Sequence, residues 1–535
     1  MALPFVDGIV VSAADLNSLA VKTDLSASSG ASLIGFLQSG TGGTARTVQA
    51  ELRERVSVTQ FGAKGDGVTD DTAAMQAAID KVSTAGGGKV IIPDGFTFIV
   101  GAVSVAGISS GVSGIVLKSN VVLEINGTVK VKANAYGPGA LYGAIRTLDA
   151  GISNARITGT GTIDGNKANQ VAGTQASNVY LFATFNVVVD GINSINANGM
   201  GIQITAPTGT THTNCAVTRT MVNNVSNIGI QVSHALSCTI EGNRVTTCTN
   251  NCIDIYGDNG TTTPDDGIVS ISGNVCSGGL VGIFPETSTR VSVGANNIDG
   301  CSIGVAVNRV NGAPSDIIIS GNTITNCPTG MQSTGDTNGV LIEANTISAF
   351  SSVGVALGGG GGNTSKNTIT GNVFSPATTT TNIITVAGTQ ASFNHVRGNY
   401  TTDAHNSANM VVNTATSTVG GSYEDPLSLV SIAPVRRVFA VAATTSGGTA
   451  TITVPANKAG KLYVISTSGG AWQSVWSGSF ISDASRVSVA QDSTTFTTPG
   501  NDISSVAGSG ASLNITVTFA ATGSGGAWWG WMEMM

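Results

Sequence analysis

The chain has 535 residues, of which 41% are hydrophobic, only 10% are charged and 71 are glycine. A net charge of −7, without a cluster of lysine and arginine, argues against a nucleic-acid partner, because a duplex binder needs a basic surface. No apolar run approaches the roughly 18 residues of a membrane span, and the start lacks the basic residues of a secretory signal, so we expect neither.

The first predicted element is a helix over about residues 70–84. Its apolar stripe at helical spacing consists of Met75, Ile79 and Val82. Asp70 or Asp71 can act as the N-cap, and the glycines at positions 86 to 88 end the helix. Lys89–Pro93 then predicts the first strand, so we expect the helix to cap the N-terminal end of a β structure.

A repeat of glycine or alanine, then asparagine, any residue and an apolar residue organises the middle of the chain. Its asparagines are Asn243, Asn274, Asn296, Asn322, Asn345 and Asn372, with a weaker copy at Asn399. The first six lie 31, 22, 26, 23 and 27 residues apart, and such a period is typical of one turn of a three-sided parallel β-helix. Stacked turns would align the asparagines into a hydrogen-bonded ladder.

The cysteines follow the same period. All seven lie between Cys215 and Cys327, and Cys248, Cys301 and Cys327 each come five residues after a repeat asparagine. An odd number of cysteines argues against a disulfide scaffold. We therefore expect them to be reduced and to fill the core as small apolar residues.

A strip of alternating residues accompanies each repeat, with apolar inward positions such as Ile202 and Ile204. The residues between the inward positions are Gln203, Gln231, Asp254, Phe284 and Ala306. They predict one outer face on which side chains of neighbouring turns stack.

The chain changes character near Glu424–Pro426, after which the asparagine ladder is absent. Alternating runs at 449–454 and 513–519, separated by glycine and serine turns, predict a small β-sandwich. All five tryptophans of the chain lie in this part, among them Trp472 and Trp476. Exposed aromatic rings can bind sugars, but a structural or subunit-contact role is the alternative interpretation.

Three stretches of sequence resemble known families. Val58–Thr72 looks like the N-terminal motif of pectate-lyase-like β-helix proteins, and Gly161–Asn166 resembles a turn of the same superfamily. The stretch from Ser32 to Glu54 is similar to the leader of phage tailspikes. The resemblance thus predicts an all-β fold, a right-handed parallel β-helix of the pectin-lyase type, with a C-terminal β-sandwich.

The tailspike resemblance implies a partition of the chain and a set of partners. Residues 1–55 would attach to the virion, through a phage tail or adaptor protein. Residues 56–425 would form the β-helix and 426–535 the C-terminal part, for trimerisation or carbohydrate binding. The implied protein is a homotrimer of the virion tail, made in the host cytoplasm, that binds and often depolymerises bacterial capsule or O-antigen lipopolysaccharide.

The catalytic motifs of polygalacturonases and calcium pectate lyases are absent from the sequence, so the candidate site comes from stacking. Asp254 and Glu286 would lie on adjacent turns with a two-residue offset, about 8 Å apart between their Cβ atoms. This separation suits the two carboxyl groups of an inverting glycosidase. Predicted substrate-binding residues nearby are His234, Tyr256, Asp258, Asn308 and Arg309. No metal or other cofactor is expected.

Three alternatives remain open at this point. A β-elimination on a uronic acid would use His234 or Tyr256 as the base and Arg309 as the cation. The carboxylates could also be solvated surface groups on a non-catalytic adhesive fibre. In addition, Pro285 could shift the strand register around Glu286.

Overall fold

The computed structural model describes residues 30–109, 111–138, 141–206, 214–235, 237–257, 268–286, 288, 290–309, 316–359, 363–378, 381–388 and 390–402, followed by strands between 411 and 534. Its main body is a parallel β-solenoid of about 11 turns. Most turns contribute one strand to each of three long parallel sheets, here called sheets I, II and III. None of the described helices is long and apolar enough to cross a membrane.

Sheet I pairs its solenoid strands in parallel from Arg55–Ser57 onwards. Its strands are Arg55–Ser57, Gly88–Ile92, Val121–Ile125, Ile152–Thr158, Thr184–Asp190, Cys215–Thr218, Ser237–Glu241, Ile268–Ser272, Val291–Gly294, Ile318–Ser320, Leu341–Glu343, Thr368–Thr370, His395–Arg397 and Ser422–Glu424. Sheet II follows one corner later in each turn. Its strands are Asp66–Asp70, Thr97–Val100, Thr128–Val131, Thr162–Asp164, Asn193–Ile195, Met221–Val225, Arg244–Cys248, Val275–Ser277, Asn297–Asp299, Thr323–Thr325, Thr346–Phe350, Val373–Pro376, Tyr400–Thr401 and Leu427–Ser428.

Sheet III completes each turn and bears the candidate site. Its strands are Ile115–Val116, Leu141–Arg146, Gln175–Phe182, Ile202–Thr205, Ile230–Ser233, Ile253–Tyr256, Val281–Glu286, Ile303–Arg309, Thr329–Gly335, Val353–Gly359, Asn382–Val386 and Val411–Asn413. A smaller parallel sheet consists of Thr337–Asn338, Thr364–Ser365, Gln390–Ser392 and Ser417–Val419. Two antiparallel pairs join Gly35–Phe36 to Arg46–Thr47 and Val103–Ser104 to Val112–Ser113.

The helix Thr72–Thr84 confirms the predicted N-terminal helix, and its stripe of Met75, Ile79 and Val82 is buried in the core. Asp71 occupies the N-cap position, but its carboxylate accepts from the backbone N–H groups of Lys64 and Gly65. The neighbouring Asp70 accepts from Thr72 instead. The other described helices are the α-helix Val48–Leu52 and the 3₁₀ turns Gly30–Ser32, Val58–Phe61 and Lys167–Asn169.

The prediction that the first strand begins at Lys89 was wrong. The strand Arg55–Ser57 precedes the helix and pairs in parallel with Gly88–Ile92. Three residues are too few to show an alternating pattern, so the sequence contained no periodic signal for this strand.

The predicted asparagine ladder is present. Each Asn Nδ2 donates to Oδ1 of the next asparagine over 2.9 to 3.0 Å, from Asn243 to Asn399. The residue before each ladder asparagine has positive φ, for example 65° at Gly242, which explains the glycine of the repeat. Asn367 and Asn394 form a second ladder that the repeat missed, because Lys366 and Phe393 hold the left-handed position there.

The cysteine prediction is also confirmed, since all seven are free and buried. They contribute to one continuous core of mainly isoleucine and valine that follows the solenoid axis. Glycines recur where the chain turns from sheet II to sheet III. An added Cβ at Gly282 would lie 2.4 Å from Ile298 Cγ2, so this corner has no room for a side chain.

The C-terminal strands pair antiparallel in two groups, as expected for a β-sandwich. One group contains Arg437–Ala440, Ala459–Ser468, Ala471–Ser482, Val487–Phe496 and Ala527–Met534. The other contains Thr449–Thr453, Ile503–Gly508 and Asn514–Phe519, which include both predicted runs. The boundaries assigned to the three parts of the chain stay a prediction, and most of the segment 1–55 lies outside the described residues.

Candidate functional site

The outer face of sheet III presents two columns of side chains that run from turn to turn. The first column consists of Gln203, Gln231, Asp254, Phe284, Ala306 and Gln332. The second column, two residues further along each strand, consists of Thr205, Ser233, Tyr256, Glu286, Asn308 and Thr334. The outer face predicted from the alternating strips is therefore confirmed. Because Ile253 and Ile255 point into the core, Asp254 must point out of it.

Asp254 lies in the middle of the first column, and only 2% of its surface is exposed. Asn251 Nδ2 donates a hydrogen bond to Asp254 Oδ2 over 2.9 Å. The other carboxyl oxygen, Oδ1, has no hydrogen-bond partner among the described residues. Buried polar atoms are almost always paired, so an acceptor left in this state indicates a place where a ligand can bind.

Glu286 lies one turn later, in the second column. Asp254 pairs with Phe284 and Tyr256 pairs with Glu286, so the two carboxyl groups stand diagonally on adjacent strands. Strands ~4.8 Å apart and a two-residue step of ~6.6 Å separate their Cβ atoms by roughly 8 Å. Pro285 pairs with Ile255 and does not shift the register, so the predicted two-residue offset is present.

His234 and Asn308 border this pair on opposite sides. The backbone N–H of His234 donates to the Tyr256 carbonyl over 3.1 Å, and the two rings meet edge to face with centroids 6.4 Å apart. His234 Nδ1 is buried and has no partner among the described residues. Asn308 pairs with Glu286 in the next strand, so these five predicted residues occupy four consecutive turns of one face.

Burial changes the acidity of both carboxyl groups. Desolvation raises the pKa of Asp254 to about 7, opposed by the Asn251 hydrogen bond and reinforced by the charge of Glu286. Burial also raises the pKa of Glu286, which is only half-buried. A carboxyl group with a pKa near neutral can keep its proton at working pH, so the raised pKa of Asp254 suits a proton donor.

Several predicted site residues lie outside what the structure describes. Asp258 is among the residues that are not described, and of Arg309 only its backbone, at the end of its strand, is. Trp472 and Trp476 belong to the strand Ala471–Ser482, whose side chains are not described. Within the described ranges, no three histidine, cysteine or acidic side chains converge as metal ligands.

Sequence reasoning missed Asn251 and Ser177. Asn251 positions the Asp254 carboxyl group, and Ser177 Oγ donates to Gln203 Oε1 over 3.3 Å. Their contacts depend on how the turns stack at the corner before each sheet III strand. The sequence does place an asparagine three residues before Asp254, which is a usable signal. Among the described residues, this asparagine makes the only hydrogen bond to the Asp254 carboxyl group.

The arrangement can support acid–base chemistry on a glycosidic bond. Two carboxyl groups roughly 6.5 to 9.5 Å apart leave room for both a sugar and an attacking water molecule, which is the geometry of inverting glycosidases. Burial raises the pKa of Asp254, as the proton donor of that mechanism needs. Tyr256 lies beside both groups, on the same strand as Asp254 and paired with Glu286.

Two family models match the solenoid. The model described as rhamnogalacturonase A/epimerase, pectate lyase-like, matches residues 55–305, a range that includes Asp254 and Glu286. The model described as periplasmic copper-binding protein (NosD) matches residues 263–424.

Curated relatives match shorter stretches. Alginate lyase 7 of Azotobacter vinelandii is 35% identical over 149 residues, which are 25% of this chain and 16% of that protein. The mannuronan C5-epimerase AlgE2 of the same organism is 36% identical over 126 residues, 21% of this chain and 11% of the relative. The capsule KN3-specific depolymerase 1 of Klebsiella phage KN3-1 is 30% identical over 196 residues, 34% of this chain and 24% of that protein. The chain thus matches no more than about a quarter of the length of these relatives.

Solved structures match over more of the chain. A mutant tailspike protein of E. coli bacteriophage HK620 in complex with a pentasaccharide has a TM-score of 0.58 and 17% identity, and covers 96% of this chain and all of its own. The A-module of the Azotobacter vinelandii mannuronan C-5 epimerase AlgE4 has a TM-score of 0.53 and 20% identity, and covers 70% of this chain and all of its own. At these identities the comparison shows a shared fold.

The chain has the fold of a right-handed parallel β-helix, and residues 55–305 match a pectate-lyase-like family model. Within this class it has the fold of the phage tailspikes, which align with almost its whole length. The resemblance drawn from Val58–Thr72 is thereby confirmed at the level of fold, and the resemblance of the stretch from Ser32 to Glu54 to a tailspike leader stays a prediction.

Proposed function

We propose that the chain is a tailspike that binds a bacterial surface polysaccharide and hydrolyses it, with Asp254 as the general acid and Glu286 as the general base. The observation that carries this proposal is the buried, partly unpaired Asp254 standing diagonally from Glu286 on one outer face. Asp254 is buried and Glu286 is half-buried, which supports the proposal over the alternative of solvated surface carboxylates.

The comparisons support the same class of activity. The phage relative is a capsule depolymerase and the phage structural neighbour is a tailspike with a bound pentasaccharide. These activities belong to those proteins, and their extension to this chain rests on the geometry of the site.

The proposed reaction follows from the positions of the two groups. The Asp254 proton passes to the glycosidic oxygen while the bond from that oxygen to the anomeric carbon breaks. Glu286 removes a proton from a water molecule, whose oxygen forms the new bond to the anomeric carbon from the opposite face. The products are a new reducing end and a free hydroxyl, and the two carboxyl groups then exchange their proton with solvent. His234, Tyr256 and Asn308 border the reacting sugar and would bind its hydroxyl groups.

A second candidate reaction is β-elimination on a uronic acid, favoured by the alginate lyase among the curated relatives. Here a protonated Asp254 would hydrogen-bond the substrate carboxylate, and Tyr256 or His234 would remove the proton from the carbon next to that carboxylate. The bond from the adjoining carbon to the glycosidic oxygen would then break, a carbon–carbon double bond would form, and the leaving oxygen would take up a proton from the protonated base or from solvent. Arg309 would provide the cation of this mechanism. The product would be an unsaturated uronate instead of the new reducing end that hydrolysis gives.

The deciding experiment incubates the protein with purified capsule or O-antigen from a susceptible host. We expect new reducing ends without absorbance of an unsaturated uronate. Asp254→Asn and Glu286→Gln should each lower kcat by roughly 10²- to 10⁴-fold, while Asp299→Asn on sheet II serves as a matched control and should stay active. New uronate absorbance would select the lyase, and an unshortened but bound polysaccharide would select the adhesive fibre. Full activity of both site variants would show that the site lies elsewhere.

The remaining partners follow from the same tailspike assignment. The chain would form a homotrimer in the virion tail, attach through residues 1–55 to a phage tail or adaptor protein, and be made in the host cytoplasm. Trp472 and Trp476 would serve either the subunit contacts or an accessory carbohydrate site of residues 426–535. Alanine at both positions would lower trimer stability if the two tryptophans serve the subunit contacts. It would lower polysaccharide binding if they form a carbohydrate site.

A further inference from the structure

The two carboxyl groups of the proposed site share their part of sheet III with two aromatic rings. Asp254 and Tyr256 lie on one strand, and their direct neighbours on the next strand are Phe284 and Glu286 respectively. The four outward side chains therefore occupy the corners of a rectangle of about 4.8 by 6.6 Å. The carboxyl groups stand on one diagonal of this rectangle, and the rings of Tyr256 and Phe284 stand on the other.

Phe284 is the corner of the rectangle that has no role in the proposed reaction. Ile283 and Pro285 on either side of it are buried, so the Phe284 ring points outward, where it is half-buried. Phe284 neither belongs to the continuous apolar core nor packs against it. It also makes no ring contact with another described aromatic side chain. Single apolar side chains are common on protein surfaces, so the significance of Phe284 depends on its position.

The position of Phe284 within the two outer columns distinguishes it. From the strand Ile202–Thr205 to the strand Thr329–Gly335, the aromatic residues of the two columns are Tyr256 and Phe284, and the others are polar apart from Ala306. Both rings thus lie on the two turns that bear the carboxyl groups. Ala306 is the next residue after Phe284 in its column and is too small to cover the Phe284 ring.

The proposed reaction places sugar rings over these aromatic side chains. In an inverting displacement, the water oxygen, the anomeric carbon and the leaving oxygen lie roughly in line between the base and the acid. That line follows the diagonal from Glu286 to Asp254. The sugar rings joined by the scissile bond extend to the sides of this line, towards the corners that Tyr256 and Phe284 occupy.

An aromatic ring can bind the apolar face of a sugar. The face of the aromatic ring is the negative part of its quadrupole, whereas the C–H hydrogens of a pyranose carry a small positive charge. A pyranose with several C–H bonds on one face can therefore lie flat on the aromatic ring, while its hydroxyl groups reach the polar side chains around it. A pyranose with an axial hydroxyl group on that face would be held away from the ring.

We propose that Phe284 is the platform of a sugar-binding subsite beside the scissile bond, where it stacks on the C–H face of a pyranose ring. Tyr256 flanks the bond from the opposite corner of the rectangle, with its ring in edge-to-face contact with His234. This inference rests on the proposed function, because it takes Asp254 and Glu286 as the pair between which the bond lies. It adds a residue that selects a sugar by the shape of its ring face.

The first test asks whether the aromatic ring itself is needed. With purified host capsule or O-antigen, Phe284→Ala should raise KM roughly three- to ten-fold and change kcat less than about two-fold, because stacking stabilises the ground and transition states alike. Phe284→Tyr keeps the ring and should restore most of this loss, whereas Phe284→Leu keeps apolar bulk alone and should not. The matched control is Phe185→Ala, which removes a 53% exposed phenylalanine from sheet I and should leave KM unchanged.

Three results would overturn the platform. Full recovery in Phe284→Leu would show that bulk is sufficient, and an equal rise of KM in Phe185→Ala would show that the effect is not local. If Phe284 serves instead to cover Asp254, Phe284→Ala should lower the pKa of that carboxyl group. The alkaline limb of kcat/KM would then move to lower pH with KM unchanged.

The second test measures binding without turnover and separates this inference from the proposed function. Calorimetric titration with the same polysaccharide compares Glu286→Gln protein with protein that carries both Glu286→Gln and Phe284→Ala. A dissociation constant roughly three- to ten-fold higher in the double variant supports the subsite, and equal constants overturn it. Phe284-dependent binding of a polysaccharide that the unmodified protein does not cleave would support the subsite and contradict the proposed hydrolysis. Cleavage with a KM that does not depend on Phe284 would do the reverse.

Discussion

Asp254 is buried, accepts a single hydrogen bond and stands beside Glu286, and this combination supports the proposed role in acid–base catalysis. A buried aspartate with one hydrogen bond is costly, because its charged form is poorly solvated and one oxygen is unpaired. A leucine or asparagine at this position would remove that cost. The retained carboxyl group, beside Glu286, is what an acid–base pair needs.

The first prediction concerns the pH dependence of the reaction. In the proposed reaction Asp254 must be protonated, so kcat/KM should fall as the pH rises through its pKa of about 7. Glu286 must be ionised, so kcat/KM should also fall as the pH drops through its raised pKa. Asn251→Ala removes a hydrogen bond that stabilises the ionised Asp254, so the pKa should rise and the alkaline limb should move to higher pH.

The control for this profile is Asn250→Ala, because the adjacent Asn250 side chain bonds to Asn227 and not to Asp254. Its alkaline limb should coincide with that of the unmodified protein. An alkaline limb that stays in place in Asn251→Ala would show that a group other than Asp254 donates the proton.

Among the structural elements, the asparagine ladder determines how the turns stack. Asn296 shows how one ladder side chain makes several hydrogen bonds. Its Nδ2 donates both to the Ile271 carbonyl and to Asn322 Oδ1, and its Oδ1 accepts from Asn274 Nδ2. Each asparagine thereby satisfies polar groups of its own corner and of the next turn, in a site that excludes water. The positions of Asp254 and Glu286 depend on this stacking.

The second prediction tests the ladder. Asn296→Ala leaves the backbone N–H of Asn274 and the carbonyl of Ile271 without their partner, so it should reduce the free energy of unfolding by about 2 to 4 kcal/mol. Asn297→Ala, one residue later on an exposed position, should change it by less than about 0.5 kcal/mol. Denaturant or thermal unfolding measures the free energy of unfolding of the two variants. Equal values would contradict the prediction.

At the scale of the whole molecule, exposed apolar side chains remain after the solenoid has formed its core. Ile268 on sheet I is 70% exposed, and Leu33, Leu37 and Leu52 in the N-terminal segment are each at least 60% exposed. Single exposed apolar side chains are usual on protein surfaces, so the oligomeric state rests on the tailspike proposal. A homotrimer, as in that proposal, would cover some of these side chains.

The third prediction is therefore a particle of three times the chain mass of 53.5 kDa in light scattering after size exclusion. The mass should persist on dilution, because a large apolar interface dissociates slowly. A single-chain mass at all concentrations would contradict the trimer. Ile268→Ser should weaken the assembly if sheet I contributes to the interface.

The sequence by itself determined the solenoid, the helix at its N-terminal end, the reduced cysteines and the outer face of Asp254. These features repeat with a period, and a period of one turn forces equivalent residues to stack whatever the details of each corner. The two-residue offset between Asp254 and Glu286 also followed from aligning the strips, and Pro285 did not disturb it.

Only the tertiary structure decided what surrounds these residues. The strand Arg55–Ser57, the Asn251 contact with Asp254 and the Ser177 contact with Gln203 have no periodic signal. The second ladder of Asn367 and Asn394 has the period of the repeat, but Lys366 and Phe393 stand where the repeat has glycine or alanine. Burial, which raises the pKa of Asp254, comes from all the neighbouring turns together. The physical reason is that stacking order is local and repetitive, whereas hydrogen-bond satisfaction and desolvation depend on atoms that the chain brings together from distant positions.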